Sequence, residues 1–191
     1  MELLIYWVLI LNEETVRRPP EVGAAIKSPT GLRWLDAISE SNMVLGAILA
    51  VIHPELYEAG RNTFEHLRKH ARFQDADAQH VLNNWTSALS GVAVIRNRIT
   101  PSHRDRYSRF HWYDLLATLG SYRRGILKMP GLGIFLSYGP GTVVGLSGMA
   151  LQHEVPKVKG ERVCYAYFMR NDVHAWAGAT ASNWMQTKYY E

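Results

Sequence analysis

The segment TPSHRDRYSRFHWYDLL, Thr100–Leu116, sets His103 and Asp105 one residue apart. Side chains alternate between the faces of a β-strand, so a His-x-Asp pair on a strand points both groups the same way. An imidazole and a carboxylate so placed can share a metal ion, form an acid/base pair, or be an ordinary surface pair. A third ligand favours the metal. His153 follows the β-rich run GTVVGLSGMALQH and falls at a strand end in the same sheet system. Two histidines and one carboxylate make a facial set that leaves three positions of Fe(II) open, two for a bidentate 2-oxo acid and one for O2. Arg162 opens the next strand. Its planar fork suits the far carboxylate of 2-oxoglutarate.

The remaining histidines carry weaker signals. His66 and His70 have helical i, i+4 spacing, but HLRKH lacks the glutamate of a His-Glu-x-x-His zinc site and reads as a solvated helix face. His53 and His80 read as capping or surface residues. His111 and His174 could touch substrate, yet nothing beside them marks a ligand. Arg96, Arg98, Arg104, Arg106 and Arg109 surround the His-x-Asp pair, and Arg123 and Arg124 follow. Arg104, Arg106, Arg109, Arg123 and Arg124 read as phosphate contacts or as a solvated face; their clustering beside the His-x-Asp pair favours phosphates, each such contact steepening the salt dependence of binding. Asn97 reads equally as a base contact or a strand cap. Asp114 could contact substrate, although its neighbours Trp112, Tyr113, Leu115 and Leu116 read as core and favour a structural role. Cys164 reads as a small strand residue near the cosubstrate rather than a nucleophile.

Elements that could position these groups are legible along the chain. Its 191 residues, 47% hydrophobic and 20% charged, suit an ordinary globular domain. The net charge of +4 mildly favours a polyanionic partner. One cysteine allows no internal disulfide and implies a reducing, intracellular compartment. The apolar run Leu3–Leu11 is shorter than the roughly 20 residues of a membrane span and lacks the flanks of a signal peptide. It reads as a buried helix or strand. The stretch RRPPEVGAAIKSPTG, Arg17–Gly31, has the composition of a connector. Leu35, Ile38, Val44, Leu45, Ile48, Leu49 and Ile52 then recur at helical steps and predict one long helix ending at Pro54, which opens the next. A third helix is predicted over Asp77–Leu89. From Ser90 onward the runs GVAVIRNRI, GILKM, LGIFLSY, GTVVGLSG and RVCYAYFM read as short strands between glycine- and proline-rich turns. The fold class is therefore α+β, with helices packed on a sheet sandwich or barrel.

With these motifs in order, the chain resembles the TET/JBP family of Fe(II)/2-oxoglutarate-dependent nucleic-acid base oxygenases, most closely its fungal, transposon-associated branch. The resemblance runs from about Met43 to His174, through NRITPSHRDRYSRFHWYDLLATLG, MPGLGIFLSYGPGTVVGLSG, LQHEVPKVKGERVCYAYFMR and NDVH. It implies a double-stranded β-helix (jelly-roll-like) core with N-terminal supporting helices. Together these readings give an N-terminal extension over residues 1–30 and one catalytic domain over 31–191, with helices about 31–89 and the β-helix core about 90–176. Members usually bring more chain upstream, so a truncated start would remove DNA-binding surface. By the resemblance, His103, Asp105 and His153 bind the iron. The resemblance also makes Arg162 the 2-oxoglutarate arginine, with Arg98 helping to hold cosubstrate or substrate, and places Phe168 where a flipped base would stack and Arg170 where its edge would be read. The residues themselves add Cys164 beside the cosubstrate and Asn97, Arg106, Arg109 and Asp114 as candidate substrate contacts.

The expected reaction is oxidation of a nucleobase methyl group, 5-methylcytosine in DNA first, with Fe(II), 2-oxoglutarate and O2. A base inside a duplex is out of reach, so it must be flipped out. The alternatives are an N6-methyladenine or methylated-RNA demethylase with the same chemistry, and an inactive nucleic-acid-binding module. An N-methyl product would lose formaldehyde whereas a C-methyl product persists, and succinate release would eliminate the inactive module. DNA, with RNA as the alternative, is the expected partner. No membrane and no obligate protein partner is expected, and a DNA-acting enzyme implies the nucleus.

Overall fold

The computed structural model describes residues 2–6, 9–10, 20–70, 73–106 and 108–190. They form two compact units, one comprising Val92–Phe168 with the chain start through Ile5, the other Tyr6–Gly91 with Met169 onward.

The second unit is mostly helical. From Pro20 on, the expected connector carries regular structure: β3 (Glu21–Val22) pairs with strand β2 (Leu9–Ile10), and helices α1 (Ala24–Lys27) and α2 (Pro29–Ala37) follow, while residues 17–19 lie outside the described residues. Ser28 caps α2 by accepting the Gly31 N–H at 3.1 Å, and Pro29 supplies the preset first turn. A side chain at Gly31 would collide with the Ala25–Ile26 backbone, so glycine lets the two helices touch. The single long helix expected after this point is two, α2 and α3 (Ser39–Ile52), bent by 53° at Ile38. Neither glycine nor proline marks that break, and the apolar stripe runs through it. α4 (Pro54–Lys69) begins at Pro54 as expected, with His53 as its cap: the buried His53 Nδ1 accepts from Leu56 N–H at 3.3 Å. α5 (Ala76–Asn84) is capped by Asp75. The core gathers Ile26, Leu35, Leu49, Leu56, Phe64, Leu67, Val81 and Trp85. α6 (Asn171–Ala177) packs on α4, joined by the buried pair Thr63 Oγ1–His174 Nδ1 at 2.7 Å. Thr63 already donates to the Ala59 carbonyl, so His174 is the donor. His66 and His70, expected on a solvated face, are exposed but engaged. His66 Nδ1 donates to the Ala177 carbonyl at 2.8 Å, and the His70 ring meets Trp176 at 4.7 Å.

The first unit is two facing sheets. One has the order β1 (Glu2–Tyr6), β4 (Gly91–Arg96), β11 (Arg162–Phe168), β6 (Asp114–Gly120), β9 (Val143–Leu146). The other runs β5 (Thr100–His103), β10 (His153–Val155), β7 (Ile126–Met129), β8 (Ile134–Ser137). The architecture is a double-stranded β-helix with supporting helices. Leu116, Leu127, Tyr138, Leu146, Val155 and Cys164 fill the space between the sheets. Each comes from alternate, inward positions of its strand or strand end. β5, β6 and β10 are additions to the strands expected. β5 and β10 are short and polar, so their strand character comes from pairing rather than composition.

Candidate metal centre and cosubstrate pocket

His103 ends β5, His153 opens β10, and the two are direct partners in the antiparallel ladder. Such a pair shares one face of the sheet, and here the ring centroids lie 4.4 Å apart. Each Nδ1 faces the carbonyl two residues earlier: His103 that of Pro101 at 2.8 Å, His153 that of Leu151 at 3.0 Å. A carbonyl only accepts, so in the neutral ring Nδ1 holds the proton and Nε2 offers its lone pair. Both Nε2 atoms converge on Asp105, at 3.4 Å from Oδ1 for His103 and 3.6 Å from Oδ2 for His153. All three ligand atoms lie within 4.8 Å of one another, and among the described residues no fourth ligand joins them. Two neutral imidazoles and one carboxylate with open positions fit Fe(II).

Electrostatics hold Asp105 in its ligating form, whereas on His103 they favour the proton that a metal would displace. Desolvation pushes the Asp105 carboxyl upward, but the hydrogen bond with His103 and the fields of His153 and His103 outweigh it, leaving it below its ordinary value. His103 is raised, first by Asp105 and then by the Pro101 carbonyl. A loop fixes the carboxylate from behind. Ser147 Oγ donates to the Phe110 carbonyl at 2.6 Å, and the next residue, Gly148, accepts the Asp105 N–H at 2.9 Å. A methyl group at Gly148 would occupy the space of the Asp105 and Asp114 carboxylates. Asp114 is 3% exposed, and neither oxygen has a hydrogen-bond partner. Burial, then the neighbouring Asp105 charge, raises its pKa well above normal, against the lowering effect of the Gly148 backbone. It is therefore not the substrate contact expected of it; it is packed behind a metal-ligand candidate.

Arg162, the first residue of β11, is 1% exposed. One terminal nitrogen donates to the Arg98 carbonyl at 2.9 Å, whereas Nε is buried with no partner. Among the described residues no carboxylate pairs with it. Burying an unpaired guanidinium is unfavourable by several kcal/mol, so the position is built to receive an anion. Period-two alternation aims Arg162, Cys164, Ala166 and Phe168 the same way, and Cys164 lies in the inter-sheet core. Polar atoms nearby belong to Tyr122, Thr118 and Tyr138. The Tyr122 hydroxyl donates to the Tyr138 carbonyl at 2.7 Å and sits 2.9 Å from Thr118 Oγ1. Burial raises both phenols, which stay protonated. Burial likewise pushes the Cys164 thiol up, and Sγ lies 3.4 Å from the Tyr138 hydroxyl, so it is no nucleophile.

Other expected site residues fall elsewhere. Asn97 is exposed, and its amide is engaged as a cap: at φ 51° it closes the start of β11, with Oδ1 accepting Arg162 N–H and Nδ2 donating to Glu161, both at 2.8 Å. Arg170 is buried in the helical unit, its guanidinium forked onto Asp172 at 3.1 and 2.8 Å, so that fork is not free to read a base edge. Arg109 stacks its guanidinium 4.9 Å from the Trp112 ring centre rather than projecting freely. Arg104 and Arg106 are exposed on either side of Asp105, and Phe168 is half-buried at the end of β11. Arg98 is half-buried and offers its carbonyl to Arg162. Tyr122, Tyr138 and Gly148 were not legible as site residues, because their importance comes from strand pairing and not from local motif.

The pattern of one family, described as "Oxygenase domain of the 2OGFeDO superfamily" (Tet_JBP), matches residues 17–171. That match starts well before Met43, where the resemblance by motif begins. No curated protein matches the chain. Among solved structures, NgTET1 in complex with 5mC DNA is similar at TM-score 0.63 and 17% identity, over 95% of this chain. This chain spans 65% of that one. A Cupin 2 conserved barrel domain protein from Salinispora arenicola CNS-205 is 17% identical over 46% of this chain and 70% of its own, at TM-score 0.33. The NgTET1 likeness is one of fold, while the family match covers most of the sequence. The chain belongs to the TET/JBP family, whose oxygenase domains are Fe(II)/2-oxoglutarate-dependent dioxygenases that use O2.

Proposed function

We propose that this chain oxidises the methyl group of a modified nucleobase, 5-methylcytosine in DNA, by means of Fe(II), 2-oxoglutarate and O2. One observation carries the reading: a two-histidine, one-carboxylate cluster and a buried arginine without a counter-charge occur in the same β unit of a TET/JBP chain. The fold likeness to a protein solved with 5mC DNA supports the choice of substrate. His103, Asp105 and His153 would hold the iron, and Arg162 the distal carboxylate of 2-oxoglutarate. When bound, Fe(II) with the 2-oxo acid activates O2 for attack on a C–H bond as CO2 is lost.

The residues supply position and exclusion of water. The Pro101 and Leu151 carbonyls orient the two imidazoles, and the Gly148 carbonyl fixes the backbone under Asp105. Arg162, with Nε unpartnered, gives an anionic cosubstrate a buried cationic seat, beside which Tyr122 and Tyr138 stay neutral and add no competing charge. Phe168, on the inward face of β11, is the shelf on which a flipped base would stack, a contact worth roughly 1–3 kcal/mol. A nuclear setting follows from a DNA substrate. The test is nucleoside mass spectrometry after incubation with Fe(II), 2-oxoglutarate and nucleic acid carrying 5-methylcytosine, N6-methyladenine or methylated RNA bases. Oxidised 5-methylcytosine is expected. Its absence from every nucleic acid, with succinate released on a free metabolite, would refute the reading.

A further inference from the structure

Three segments of the β unit gather cations away from the metal cluster. Arg98 lies between β4 and β5, Arg123 and Arg124 follow β6, and Lys157 and Lys159 lie between β10 and β11. Backbone bonds stitch these segments into one surface. Ser121 N–H donates to the Glu161 carbonyl at 2.9 Å, Arg123 N–H to that of Lys159 at 3.2 Å, and Asn97 N–H to that of Arg162 at 2.9 Å. Gly120 at φ 129° and Gly160 at φ 105° make the approach possible, since a side chain on either would strike the backbone of the facing loop. Arg124 is held at φ 57°, a left-handed conformation a non-glycine residue adopts at a cost.

Arg123, Arg124, Lys157 and Lys159 are exposed, and Arg98 with the 157–160 loop lines a groove of about 420 Å³. Among the described residues none of the five has a carboxylate partner. The one acid in these segments, Glu161, is already held by Arg96 and Asn97, each at 2.8 Å. Backbone bonds thus hold side by side the segments that carry these five cations, none of them neutralised by a carboxylate among the described residues. A small anion would satisfy one or two; a polyanion satisfies all. Val158 is the apolar residue among those lining the groove. The platform also continues into β11, whose first residue turns inward as Arg162.

We propose that this platform binds the phosphate backbone of the nucleic acid whose base enters the pocket; it rests on the nucleobase reading. The test compares the full chain with the triple variant Arg123→Ala, Lys157→Ala, Lys159→Ala, and with a control that loses three exposed cations of the helical unit, Lys27→Ala, Arg33→Ala, Lys69→Ala. Binding of methylated and unmethylated duplexes is measured across a salt series. The platform variant should weaken both duplexes equally and make the plot of log K against log salt shallower by about two to three units. The control should leave the slope unchanged, and both variants should keep the wild-type melting temperature and the succinate release seen without nucleic acid. An unchanged slope, an equal change in the control, or lost binding to anionic vesicles in place of DNA would overturn the proposal. Oxidised nucleosides with an unchanged slope would leave the nucleobase reading standing without the platform. A shallower slope with no oxidised nucleoside would do the reverse.

Discussion

His103 and His153 face each other as register partners of β5 and β10, each with Nδ1 tied to the carbonyl two residues before it and Nε2 turned toward Asp105. This symmetry means that one ladder position sets both imidazoles. A metal must displace any proton on Nε2, and Asp105 raises the His103 pKa above its ordinary 6.5. Iron affinity should therefore fall as pH drops through and below neutrality. Fe(II) titrations between pH 8 and pH 6 check this; affinity that is flat over that range would contradict the raised His103 pKa.

Gly148→Ala places a methyl group against the Asp105 and Asp114 carboxylates. The nearest atoms are side-chain ends, so the fold should persist while the ligand moves. Loss of such support typically costs about 10–100-fold in metal affinity. Circular dichroism with a metal titration separates this from unfolding.

Arg162→Lys keeps the charge but loses the fork that spans Arg98 and an incoming carboxylate. The concentration of 2-oxoglutarate needed for half-maximal succinate release should rise at least about tenfold, given roughly 2–5 kcal/mol for breaking a buried charge-assisted contact. An unchanged requirement would remove Arg162 from the pocket.

Asp114 supplies a pH test of stability. Its folded pKa lies well above the ordinary 3.8, so the folded chain keeps a proton that the unfolded chain has lost. The stability this contributes is full below 3.8 and drains away as pH rises toward the folded value. Relative to Asp114→Asn, which cannot titrate, the wild type should lose stability as pH rises above the ordinary 3.8 toward the folded pKa. Denaturant midpoints of the two proteins at several pH values measure the difference; parallel curves would mean that Asp114 is charged in the fold.

Residue type and order made much of this legible. His103, His153 and Arg162 stand out because they fall at strand ends; Asp105 stands out by its spacing from His103, yet β5 ends at His103 and it is the Gly148 carbonyl that holds the Asp105 backbone. Pro54 and Ser90 mark real changes of structure because proline and β-branched runs act locally. Where pairing partners decide, local signals fail. Asn97 reads equally as base contact or cap until its partners, Arg162 N–H and Glu161, appear across 64 and 65 residues of sequence. Arg170 lies where a base reader is expected, but Asp172 two residues on takes its guanidinium. The break at Ile38 left no trace in an apolar stripe that continues through it.

The central claim is that one Fe(II) and one 2-oxoglutarate meet at His103, Asp105, His153 and Arg162. Anaerobic titration with Fe(II) in the presence of 2-oxoglutarate, followed by visible absorption, tests it most directly. The wild type should develop the charge-transfer band of a 2-oxo acid chelated to iron, saturating at one iron per chain. His153→Ala should develop none while keeping its fold, and Arg162→Lys should need more 2-oxoglutarate to reach the same band. A wild-type band in His153→Ala, or no band in the folded wild type, would contradict the account.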